Sequence, residues 1–109
     1  MAATSIWAVK GSLRPLLIIS NNKGNARSPT VITAIITSQM RNKSKIPTHY
    51  PIHVQQGLSQ DSLVLLEQIR TIDKKRLKKY IGTLNGEIMS KIDRALAVSV
   101  GLKCTEIYN

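Results

Sequence analysis

In the stretch GSLRPLLIIS (Gly11–Ser20) an arginine and a proline stand immediately before an apolar run, Leu16 to Ile19. A charged side chain at the mouth of a buried strand is costly unless something is gained by it. A second polar group, Thr37-Ser38-Gln39, closes the β-branched run TVITAIITSQ. A guanidinium and a hydroxyl brought together would clamp a phosphate, as a fixed cationic fork beside a neutral donor. On pattern alone the blander reading stays open, with Arg14 solvated at a strand end and Thr37 an ordinary strand threonine. Other chemistries fit less well. His49 and His53 sit four apart in a strand-like segment, a spacing that separates them by roughly 13 Å, and no acid lies between them. A metal site is therefore not expected. Six acids scattered among sixteen bases offer no carboxylate pair. No nucleophile elbow accompanies the serines, and no glycine-rich phosphate loop is present.

Charge narrows the partners. Sixteen Lys and Arg against six Asp and Glu leave +10 at neutral pH, which draws polyanions, nucleic acid above all. With one Trp, three Tyr and no Phe, the chain cannot build an aromatic platform for stacking bases. A nucleic acid would be held through phosphate contacts and polar readout of base edges. At 109 residues and 42% hydrophobic, the sequence suits one globular domain with a single modest core. No apolar run approaches the roughly 18 residues of a membrane helix. The N-terminus lacks the pattern of a secretory signal. A lone Cys104 forms no internal disulfide and fits a reduced, cytoplasmic setting.

Strands must position these groups. Leu16–Ser20, Thr30–Gln39 and Ser62–Ile72 read as strands from their apolar and β-branched content. Thr48–Val54 reads as a short edge or bulged strand because of Pro51. In the third strand Glu67, Gln68, Arg70 and Thr71 cannot all point one way, so part of that polar set lies inside or at a groove. Arg70 is expected to pair with an acid in the core or at the dimer contact. Ser5–Val9 would form a strand with Ile6 and Ala8 on one face and Trp7 and Val9 on the other. The segment NNKGNARSP (Asn21–Pro29) reads as turn chemistry. Asp73–Tyr80 reads as a short helical turn capped by Asp73, with Lys74–Lys79 a solvated face of secondary, sequence-blind use, and Ile81–Leu84 as a short strand. Asn85 caps a final helix in which Ile88, Met89, Ile92, Ala95, Leu96 and Ser99 recur at helical spacing, and Gly101 ends it. The pattern is a strand-rich barrel with a closing helix.

Four strings in this order, RPLLIISNNKGNARSPTVITAIITSQ, KIPTH, DSLVLLEQIRTIDKKRL and IGTLNGEIMSKIDRALAVSVGL, resemble the MazF/PemK family of toxin endoribonucleases. The resemblance implies a mainly β fold with α, a small SH3-like antiparallel β-barrel of the plasmid-maintenance-toxin type with a C-terminal helix. It spans residues 13–109, with residues 1–12 a divergent N-terminal segment. It further implies a homodimer that cleaves single-stranded RNA at a short sequence without metal or other cofactor. It also implies restraint by a cognate antitoxin, contact with DNA only through an antitoxin complex, and no membrane. In the implied reaction the ribose 2′-hydroxyl attacks the adjacent phosphate, leaving a cyclic phosphate and a free 5′-hydroxyl. The family's catalytic arginine falls on Arg14 and its catalytic threonine on Thr37. Arg14 would neutralise the phosphorane and assist proton transfer, although a guanidinium whose pKa stays above about 12 is a poor base. Thr37 would donate to a non-bridging oxygen. RNA readout would fall on Asn21, Ser38, Gln39, Pro47, His49, Glu67 and Gln68. Glu67 would accept from a base edge, since an acid repels phosphate.

At its N-terminus the sequence departs from this pattern. The family opens with an Arg-Gly-Asp-bearing strand and a glycine-rich loop, where MAATSIWAVKGS stands here. A displaced or frame-shifted gene start would account for the difference. An alternative function follows, a catalytically impaired remnant that still binds RNA or antitoxin. A third, poisoning of a DNA topoisomerase, sits poorly with the retained Arg14 and Thr37.

Overall fold

The computed structural model describes residues 3–11, 14–38, 46–52, 58 and 60–102. Six strands, β1 (Ser5–Val9), β2 (Leu16–Ile18), β3 (Thr30–Thr37), β4 (His49–Ile52), β5 (Ser62–Asp73) and β6 (Leu77–Thr83), form one antiparallel sheet in the order β4-β5-β3-β2-β1-β6. Helix α1 (Asn22–Arg27) links β2 to β3, and α2 (Gly86–Ser99) follows β6. β5 lies next to one edge of the sheet and β6 at the other, yet only a 3₁₀ turn over Lys74–Arg76 joins them. The sheet must therefore curl until its far sides meet, which is the geometry of a small barrel. The Lys10 amide donates to the Arg76 carbonyl at 2.9 Å and the Lys74 amide to Pro29 at 3.0 Å, fastening that closure.

Both faces of the central strands are apolar, which explains the uninterrupted run in β2. Leu17, Ala34, Ile36, Val64 and Leu66 face one way and pack with Met89, Ile92 and Ala95 of α2. Their neighbours Leu16, Ile18, Ile35, Leu63 and Leu65 form a second cluster on the opposite face. β1 completes the sheet by pairing with β2 and β6 at once, with Ile6 in the first cluster and Val9 in the second. The short N-terminal segment thus supplies a full strand, with Trp7 and Val9 opposite Ile6 as its alternation predicts. The other end is also as expected: Asn85 accepts from the Ile88 amide at 2.9 Å. Gly101, at φ +76°, lets Leu102 and Gly101 donate back to Ala97 and Val98 in a Schellman closure.

Two segments differ from the sequence reading. Asn21–Pro29 contains the helix α1, because Asn21 caps it through the Gly24 amide at 2.8 Å and the buried Asn25 ties it to the Ser20 carbonyl at 2.8 Å. Leu77–Tyr80, read as helical, is the first half of β6. The Asp73 cap turns the chain only as far as Arg76, after which Leu77, Lys79 and Tyr80 pair with Val9, Ala8 and Trp7. The Trp7 and Tyr80 rings meet edge to face at 5.6 Å, a cross-strand contact that outweighs the helical look of a lysine run.

Candidate active site

The Leu16↔Ile35 pairing of β2 with β3 continues through a 3.1 Å bond from the Ile36 amide to the Pro15 carbonyl. One further step along that register sets Arg14 opposite Thr37, and opposed residues of an antiparallel pair share a face. Pro15 gives up an amide at this ladder position and holds the entry of β2 at a fixed φ. Arg14 is exposed, whereas Thr37 is 8% exposed at the end of β3. Arg14 lines a cavity of about 530 Å³ with Leu16 and Ile35, so its side chain lies on the sheet face opposite α2.

The polar set of β5 reaches the same face through a break in the ladder. Ala34 pairs with Ile69 and Ile35 with Leu65, so one step on β3 spans four on β5, and Leu66, Glu67 and Gln68 stand out of that pairing. Such bulges re-aim side chains beside functional sites. Both Glu67 oxygens are engaged from β4 and the residue before it: Oε1 accepts from Thr48 Oγ1 at 3.0 Å and Oε2 lies 3.0 Å from His49 Nε2. His49 pairs with Leu65, which places it on the Arg14–Thr37 face.

Partial desolvation pushes the Glu67 carboxyl up, but bonds from His49, its own backbone and Thr48, with the His49 charge, together hold it below its ordinary value of 4.5. A folded value below the unfolded one means that the bonds' contribution is full above 4.5 and fades as pH falls through the lowered value. A carbon-13 titration of Glu67 is expected to give a midpoint that rises in His49→Ala. A midpoint indifferent to His49 would show that the two side chains are not bonded in solution.

The structure brings together Arg14, Thr37, His49 and Glu67 on one face. Gln68 is exposed in the bulge, Ser38 is exposed just after Thr37, and Pro47 lies exposed in the turn before β4. Gln39 and His53 lie outside the described residues. Asn21 is not at this end. It caps α1 beyond the far end of β2, roughly 20 Å from Arg14 at the usual strand rise. Sequence reasoning passed over Thr48, whose signal was only its place beside His49, and the cavity residues Arg70 and Arg76. Within the single chain, no acid among the described residues pairs with Arg70, so the expected core partner is not found there. No group of three His, Cys, Asp or Glu among the described residues could hold a metal, and no helix among them is long and apolar enough to cross a membrane.

Comparison with known proteins gives a consistent result. Residues 8–100 match the model of a family described as the PemK-like, MazF-like toxin of type II toxin–antitoxin systems. Over 98 residues the chain is 50% identical to the endoribonuclease EndoA of Bacillus subtilis, covering 89% of this chain and 84% of that one. A solved endoribonuclease from a mycobacterial species in complex with its cognate antitoxin superposes with a TM-score of 0.82 at 28% identity, covering 94% of this chain and 97% of the other. The MazE–MazF complex of Deinococcus radiodurans shares the fold, with a TM-score of 0.78 at 17% identity over 94% of this chain and 97% of that one.

Proposed function

The chain belongs to the PemK-like, MazF-like toxin family of type II toxin–antitoxin systems, and on that premise we propose that it is an endoribonuclease cutting single-stranded RNA at a short sequence. The observation that carries the reading is the β2–β3 register, which opposes Arg14 and Thr37 at the edge of a cationic cavity. A phosphate lying between them would meet a guanidinium and a hydroxyl on one face. The ribose 2′-oxygen attacks phosphorus and loses its proton, the bond to the 5′-oxygen breaks, and that oxygen takes up a proton. The products are a 2′,3′-cyclic phosphate and a 5′-hydroxyl. Arg14 balances the charge that accumulates on the equatorial oxygens, and Thr37 donates to one of them. No metal ion takes part in this scheme. Glu67, held by His49 and Thr48, accepts from a donor on a neighbouring base, and Ser38, Gln39, Pro47 and Gln68 are further readout residues in this scheme.

The working unit is a homodimer in the cytoplasm, restrained by a cognate antitoxin that alone brings it to DNA. A mycobacterial relative solved with its antitoxin supports that partner. The competing reading, a remnant that binds without cutting, drew on the atypical N-terminus. Against it stands β1, paired on both sides within the sheet. Incubating the purified protein with a long single-stranded RNA in EDTA is expected to give discrete fragments bearing 5′-hydroxyl ends. Intact RNA, with binding preserved, would instead establish the remnant.

A further inference from the structure

Beyond the Arg14–Thr37 pair, the cavity holds two further guanidinium groups. Arg70 of β5 and Arg76 of the 3₁₀ turn line it with Arg14, over apolar side chains that include Leu16, Ile35 and Ile72. No carboxylate among the described residues lies within ion-pair distance of Arg70 or Arg76. Like charges converging over a low-dielectric floor repel, and an anion between them relieves that repulsion. The fork geometry of arginine suits phosphodiester oxygens better than a point charge does. The surroundings extend the same field: Lys75, Lys78 and Lys79 are exposed beside Arg76, and the Lys10 amide bonds the Arg76 carbonyl.

Position separates the Arg70 end of this cavity from the scissile phosphate. Arg70 pairs with Thr33, and the Thr33 hydroxyl holds the Arg70 carbonyl at 2.9 Å. Thr33 lies four residues along β3 from Thr37, about 13 Å at the usual rise. One phosphate cannot serve both ends of that span. We propose that Arg70 and Arg76 form a second phosphate subsite, which grips the backbone of a nucleotide flanking the one that is cut. Arg14, opposite Thr37 at one end of that span, also lines the cavity. That the phosphate belongs to RNA rests on the endoribonuclease reading; that the cavity takes a phosphate does not.

The test uses the whole protein and a single-stranded RNA made uncleavable by 2′-O-methylation, with affinity read by anisotropy across a salt series. Arg70→Gln and Arg76→Gln are each expected to weaken binding, and the double variant to flatten the plot of log affinity against log salt by about 0.7 per lost contact. Arg70→Lys and Arg76→Lys, which keep the charge without the fork, should recover the slope but only part of the affinity. Lys91→Gln, on α2 across the sheet, removes one charge and should leave the slope unchanged. Wild-type slope and affinity in the double variant would overturn the proposal. So would a loss confined to free inorganic phosphate, or to an acidic peptide, with RNA binding intact. Cleavage of unmodified RNA is scored separately in EDTA. A wild-type protein that binds but does not cut removes the endoribonuclease reading and leaves the subsite standing.

Discussion

Arg14→Ala is expected to slow single-turnover RNA cleavage by about 10²–10³-fold, the usual cost of deleting a preorganised group that meets charge developing in the transition state. Thr37→Ala should fall in the same range, because in the proposed mechanism the hydroxyl and the guanidinium address oxygens of one phosphorane. Thr37→Ser keeps a hydroxyl and should lose far less. RNA affinity should drop only modestly in Thr37→Ala, since a neutral donor contributes little to the salt-dependent phosphate grip. Acting as a unit, the two residues should be strongly non-additive: Arg14→Ala/Thr37→Ala should be scarcely slower than the worse single variant. The measurement is the rate at saturating RNA, with far-UV circular dichroism confirming the fold. Near wild-type rates in Arg14→Ala would remove the clamp, whatever the register of β2 and β3.

The second large effect concerns stability. Leu66→Ala is expected to cost about 2–5 kcal/mol, as truncation of a buried leucine leaves a cavity that neighbours fill only in part. Leu66 is 0% exposed and packs in the cluster that joins the sheet to α2. Its backbone is equally committed: the amide donates to the Thr48 carbonyl at 2.9 Å, and its carbonyl accepts from Ser99 Oγ at 2.7 Å. Against the roughly 5–15 kcal/mol of a whole domain, that loss is a large share. Urea unfolding should show a lower midpoint with an unchanged slope. Because Leu66 begins the β5 bulge, the variant should also loosen the hold of Thr48 and His49 on Glu67. Val98→Ala, on the exposed side of α2, should change the midpoint little. Equal midpoints for the two variants would mean that α2 does not seal this face of the sheet.

Some of this protein follows from local chemistry. The apolar run of β2, the Asn85 cap and the glycine closure at Gly101 are written in adjacent residues, because side-chain alternation and capping act over a few positions. The four strings that mark the family likewise pointed to Arg14 and Thr37. Even Ser5–Val9, foreign to the family's opening, was legible as a strand from its alternation. Pairing was not legible. Residues distant in the chain become neighbours only through register, and register is chosen by the packing of two apolar clusters and not by any one segment. That choice turned Leu77–Tyr80 into strand against Trp7, and capping made a helix of Asn22–Arg27. It also broke the β5 ladder at Leu66–Gln68, so that Thr48 and His49 could hold Glu67. It sent Asn21 to the far end of the sheet. Arg70, expected to meet an acid, and Arg76, unremarkable in a basic sequence, met Arg14 only when the sheet curled and the 3₁₀ turn closed it. The sequence by itself determined which groups could handle a phosphate; the curl of the sheet decided which of them meet.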